Sequence, residues 1–167
     1  MTETIEMTET IDITRVYDAP RERVFAAWTQ PELMKPWYGP RGFSLPHCTV
    51  DLRPGGLVHL AMRTPEGQDV WCRGIYREVV VPERLVCTDS FSDAQGNIVP
   101  AAQAGMSAEW PDEALLTLTF TEREGKTTVT LRHDVGHAPA TERDQCKAGW
   151  TEMLDRLGEF LAGESPR

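Results

Sequence analysis

Residues 146–161 read CKAGWTEMLDRLGEFL, and within them Cys146, Trp150, Met153, Leu154, Leu157, Phe160 and Leu161 recur at intervals of three and four. That spacing is the apolar stripe of an amphipathic helix. Thr141, with Asp144 three residues on, predicts an N-terminal cap, and Gly163 predicts the stop, so the helix runs for some twenty residues. A helix with one apolar face must bury it against another element.

The residues upstream predict that element. Short runs rich in β-formers are separated by turn residues: Cys48 to Leu52, Leu57 to Met62, Val70 to Val81, Leu85 to Phe91, Leu115 to Thr121 and Thr127 to His133. The punctuation is Pro54–Gly55–Gly56, Pro65 to Gly67, Pro82–Glu83 and Glu124–Gly125, with a long connection rich in Gly, Pro and Ala from Asp93 to Asp112. This is a run of antiparallel hairpins. Ahead of it, Ile11 to Tyr17 alternates with the period of a strand, and Val24, Phe25 and Trp28 form a helical stripe after Pro20. Pro31 opens a second short helix through Met34, and Pro36 disfavours helical geometry at Lys35. The fold class is therefore α+β: one strand, two short helices, and a curved antiparallel sheet wrapped around a long C-terminal helix. A bent sheet cannot touch a straight helix along its whole length, so the wrap leaves a gap that side chains fill or a ligand occupies.

At 167 residues the length favours one domain, with a polar tail over 1–10, the domain over 11–163 and a short tail over 164–167. The tail repeats MTETIE as MTETID at 7–12. A formal net charge of −9, with Arg and Lys scattered among acids, argues against nucleic acid or an anionic membrane as partner. The N-terminal stretch has no basic segment, no apolar run and no membrane-spanning length, and Cys48, Cys72, Cys87 and Cys146 form neither a CxxC motif nor a dense disulfide framework. These features predict a cytoplasmic protein with reduced thiols, monomeric or homodimeric.

Several stretches carry a resemblance to a known family: DAPRERVFAAWTQPELMKPWYGP at 18–40, LRPGG at 52–56, GIYREVVVPERLVCTDSF at 74–91, GNIVPAAQAGMSAEWP at 96–111, TFTEREGKTTVTLRH at 119–133 and GWTEMLDRLGEFL at 149–161. The chain resembles the homologues of the activator of the heat-shock-protein-90 ATPase, single-domain form, within the START-like (SRPBCC) superfamily. The resemblance implies a helix-grip fold. The gap in the wrap and the loop-borne aromatics predict binding of a small hydrophobic molecule without a cofactor, while the resemblance implies two alternatives, a cavity-based enzyme of cyclase or hydratase type or regulation of a chaperone ATPase. One fold hosts many sites, so the residues must choose.

Histidines are weak candidates in the sequence. His133 and His137 have ligand-like spacing but sit at a strand end beside Gly136, without helical geometry, and His59 reads as an outward strand residue. His47 and Cys48 are adjacent on a strand and point to opposite faces, so they are no nucleophile pair. Carboxylates are stronger. With Pro82–Glu83 as a tight corner, Tyr76 faces Asp89, Glu78 faces Cys87, and Cys72 faces Asp93. An inward Asp89 would be a polar group in an apolar cavity. Aromatic and sulfur-bearing residues in loops and on the stripe complete the expected ligand wall: Trp37, Tyr38, Met62, Trp71, Tyr76, Asp89, Phe91, Met106, Trp110 and Trp150. Met106 and Trp110, set among small residues, predict a segment folded over one end of the cavity, against Trp37 and Tyr38, either as a partly mobile lid or as a static cap.

Overall fold

A computed structural model describes residues 8–167. In chain order the elements are β1 (Thr10–Tyr17), α1 (Arg21–Thr29), α2 (Pro31–Met34), β2 (Ser44–Val50), β3 (Leu57–Arg63), β4 (Asp69–Val80), β5 (Arg84–Phe91), a 3-10 turn (Ala101–Ala104), β6 (Ala114–Arg123), β7 (Lys126–Asp134) and α3 (Ala140–Leu161). The seven strands form one antiparallel sheet in the order β1-β7-β6-β5-β4-β3-β2. The last strand therefore returns beside the first, and the curved sheet grips α3 in the helix-grip arrangement.

The core lies between sheet and helices. Val24, Phe25 and Trp28 from α1 meet Phe120, Val129 and Leu131 from the sheet and Trp150, Leu154 and Leu157 from α3. Phe25 and Phe120 pack edge to face at 5.3 Å. Tyr17 fastens the N-terminal strand to α3, its hydroxyl donating to the Leu154 carbonyl at 2.8 Å.

Four expectations need correction. The expected tail is in part sheet: Glu9 N–H donates to Gly136 O at 2.7 Å and Val135 N–H to Glu9 O at 2.9 Å, while the first copy of the N-terminal repeat falls outside the described residues. Thr141 is not the cap of α3, because the helix begins at Ala140, after Pro139, whose extended backbone (φ −63°, ψ 151°) suits entry to a helix and whose carbonyl accepts from Arg143 N–H at 3.0 Å. β2 starts at Ser44, ahead of Cys48, and accommodates Pro46 through a bulge between Ser44 and His47 on the sheet edge.

The fourth correction reaches the site. Val80 pairs with Arg84, so the β4–β5 loop has three residues, and a bulge between Tyr76 and Glu78 adds an unpaired one. Tyr76 therefore faces Cys87, Cys72 faces Phe91, and Glu78 faces Val86. The bulge sends Glu78 to the outer face, where Arg84 pairs with it at 3.1 Å, and leaves Tyr76 inside with Cys87 and Asp89. Gly74 lets β4 bend here: a Cβ at that position would lie 2.2 Å from the Thr88 carbonyl oxygen.

Candidate functional site

The gap between sheet and α3 holds a cavity of about 390 Å³. Strands supply Leu60, Met62, Cys72, Asp89, Phe91 and His133; α3 supplies Glu142, Gln145, Cys146, Gly149, Trp150 and Met153; loops supply Tyr38, Pro40, Phe43, Met106 and Trp110. A smaller adjoining space of about 70 Å³ is bordered by Trp28, Tyr76, Cys87 and Leu116. Of the ten residues expected to form a ligand wall, Tyr38, Met62, Asp89, Phe91, Met106, Trp110 and Trp150 border the larger cavity, and Tyr76 borders the smaller one.

Trp37 and Trp71 lie elsewhere. Trp37 is fully buried, packs 4.8 Å from Trp28, and donates its indole N–H to the Ala27 carbonyl at 3.2 Å, so it pins the turn onto α1 while neighbouring Tyr38 faces the cavity. Trp71 alternates with inward Cys72 and so projects from the opposite side of the sheet, stacked between His47 at 5.0 Å and His59 at 4.9 Å. The long connection is a hydrogen-bonded strap. Ser107 N–H and Oγ–H donate to Glu142 in the first turn of α3 at 2.8 and 2.6 Å, and Ala101 N–H donates to Asp112 at 3.3 Å. Trp110 packs edge to face with His133, at 6.3 Å, and no ring contact joins it to Trp37 or Tyr38 among the described residues.

His133 is the residue that motif reasoning missed. It is 2 % exposed and stands on the same face of β7 as buried Thr127, Val129 and Leu131. Extending that alternation by one step would have placed it inside. Its Nδ1 accepts the Trp150 indole N–H at 3.1 Å, with the Cys146 sulfur 3.8 Å away. Its Nε2 lies 3.0 Å from Asp89 Oδ2, too oblique for a straight hydrogen bond. Burial disfavours charge on the ring, yet the Asp89 carboxylate and Cys146 would lift its pKa to about 9. Trp150 opposes that lift: an indole N–H can only donate, so Nδ1 must stay bare, which makes His133 a neutral imidazole with its proton on Nε2, toward Asp89.

Other groups at the site are held protonated. Burial, reinforced by Asp89, raises the Tyr38 hydroxyl well above its usual pKa and pushes the Cys87 thiol up to about 12; burial likewise lifts Cys48 to about 11 and Cys72 higher still. All four cysteines are free. We expect four thiols to titrate under denaturing, non-reducing conditions, and Cys48, Cys72 and Cys87 to react only slowly with an aromatic disulfide reagent in the native state, because the thiolate is the nucleophile. A count of two would contradict the structure. Among the described residues, no group of three or more His, Cys, Asp or Glu side chains is placed to hold a metal ion.

A buried arginine positions the cavity's loop wall. Arg156 of α3, 4 % exposed, donates to the carbonyls of Gly39 at 2.6 Å, Pro40 at 3.2 Å and Phe43 at 3.4 Å. It thereby ties the segment bearing Tyr38, Pro40 and Phe43 to the helix.

The family model described as "Activator of Hsp90 ATPase homolog 1-like protein" matches residues 18–162. The chain belongs to this family. Among solved structures, protein CV1439 from Chromobacterium violaceum is 27% identical with a TM-score of 0.75, the match covering 91% of this chain and 96% of that one. Protein NE0264 from Nitrosomonas europaea is 25% identical with a TM-score of 0.76, covering 92% and 94%. The AHSA1 protein SPO3351 from Silicibacter pomeroyi, at 20% identity and a TM-score of 0.74 over 92% and 98%, shares the fold. No curated protein matches this member of the Hsp90 ATPase activator homologue family.

Proposed function

We propose that the protein binds one small, largely apolar molecule, non-covalently, in the cavity between the sheet and α3. The observation that carries this reading is the cavity itself. Its volume falls within the range of small-molecule sites, and its walls combine Leu, Met, Phe and Trp side chains with a few polar groups, among them Asp89, His133 and Gln145. The buried Arg156 and the Ser107–Glu142 contact support it, because both hold loop walls against α3 in the ligand-ready position. Tyr38, Met62, Phe91, Met106, Trp110 and Trp150 would supply the contact surface, with Tyr76 reached only by a ligand extending into the smaller space.

Titration with N-phenyl-1-naphthylamine, an uncharged fluorescent probe, is expected to give saturable binding at one site per chain, quenching tryptophan emission through Trp110 and Trp150. Linear, non-saturating partition up to the solubility limit of the probe would overturn the proposal. A second reading, a cavity enzyme, draws on one observation: a histidine and a carboxylate meet at the cavity wall, 3.0 Å apart. A chaperone as partner draws on the family's name alone. No helix among the described residues is long and apolar enough to cross a membrane. We place the binding function in the cytoplasm, on the composition and thiol usage described above.

A further inference from the structure

The cavity is not uniformly apolar, and three of the polar or N–H-bearing groups on its wall are aligned. Trp150, His133 and Asp89 form a file: indole N–H to Nδ1 at 3.1 Å, then Nε2 to Asp89 Oδ2 at 3.0 Å. Each member constrains the next. Trp150 can only donate, so Nδ1 accepts; the ring proton then sits on Nε2 and faces the carboxylate. A carboxylate facing this N–H is an acceptor, and Asp89 keeps 37 % of its side chain exposed while bordering the cavity. His133, at 2 % exposure, has no such opening. The file therefore ends in an acceptor presented to the ligand. Tyr38, Ser90 and Gln145 also border the cavity, yet none of the hydrogen bonds described ends on the Asp89 carboxylate.

We infer that Asp89 is the head-group anchor of the cavity, and that the ligand is an apolar molecule carrying one hydrogen-bond donor, a hydroxyl or a protonated amine, which bonds to the Asp89 carboxylate. His133 and Trp150 are positioning residues that orient the carboxylate from behind. This rests on the reading that the cavity binds a ligand. A carboxylate facing apolar walls gains from a hydrogen bond, and because the Nε2–H contact is oblique and no other donor described reaches Asp89, a ligand donor supplies one. A ligand bearing a carboxylate would meet like charge in the same place and is excluded.

Four naphthalene probes of similar bulk separate the possibilities at neutral pH: 2-naphthol, 2-naphthylmethylamine, 2-methoxynaphthalene and 2-naphthoate, each titrated calorimetrically. The naphthol or the amine is expected to bind at least about tenfold more tightly than the methoxy compound, as a charge-assisted hydrogen bond allows, with the naphthoate weakest. Naphthol ahead of amine identifies a hydroxyl head group, and the reverse order an ammonium. In Asp89→Leu the preference should vanish while the methoxy compound binds as before; Asp89→Asn, which keeps an acceptor oxygen, should retain part of it. Nitrogen-15 NMR of the His133 ring should show a protonated Nε2 and a bare Nδ1, and Trp150→Phe should abolish that fixed tautomer and reduce the donor preference. Equal affinities for naphthol, amine and methoxy compound, or an undiminished preference in Asp89→Leu, overturn the inference and leave the binding function standing. Failure of all four probes to bind overturns both.

Discussion

Trp150→Ala is expected to lower the stability of the protein by about 3 to 5 kcal/mol, the usual cost of truncating a large core aromatic. For a domain of this size that corresponds to a fall in melting temperature on the order of 10 °C. The ring is 7 % exposed, lies 6.2 Å from Trp28 and 5.8 Å from His133, and donates its N–H to His133 Nδ1 at 3.1 Å, a shorter contact than the 3.8 Å of the Cys146 sulfur. Truncation thus removes packing from the centre of the α3–sheet contact and also strands a buried acceptor. Trp150→Phe separates the two losses: it keeps most of the packing and forfeits only the hydrogen bond, so its destabilisation should be less than half as large. Denaturant unfolding of the two variants beside the parent is the measurement. An alanine variant with the parent's midpoint would mean that α3 does not pack as described.

Replacing Arg156 with leucine should cost about 3 kcal/mol, for a different reason. Leucine fills the hydrocarbon part of the site but leaves the carbonyls of Gly39, Pro40 and Phe43 without their common donor. Bonds from a charged donor each contribute roughly 1.5 to 3 kcal/mol, and desolvating the guanidinium offsets part of that sum. The loss is local, so the segment 38–43 should gain mobility. Affinity for the uncharged probe should fall with it, and amide exchange should rise in that segment while the core of β6 and β7 keeps its protection. Uniformly faster exchange throughout the chain would show that Arg156 supports the whole fold and not this wall.

The architecture was legible because period and punctuation agree: the three-and-four stripe over residues 146–161 and the turn residues between short β-runs leave few ways to bury both faces. What escaped was detail of one residue's width. Nothing in REVVVPERL marks the bulge that moves Glu78 from opposite Cys87 to opposite Val86, since the bulge is a matter of which backbone groups pair and not of composition. Trp71 and Trp37 misled for a related reason. A ring's position in a turn or at a strand start does not disclose which side it takes, and here Trp71 went to the outer face and Trp37 into the core. His133 was readable from alternation along β7, but motif spacing to His137 drew attention away from it. Arg156 had no such signal: an arginine beside a stripe ordinarily extends to solvent.

Pro46 bears on how copies of the chain behave in crowded solution. β2 forms one margin of the open sheet, where exposed backbone donors and acceptors could template another strand. Pro46 contributes no N–H, and the bulge around it kinks the margin out of register. A second molecule offered to this side finds an interrupted ladder, so strand addition there is discouraged at the level of backbone chemistry.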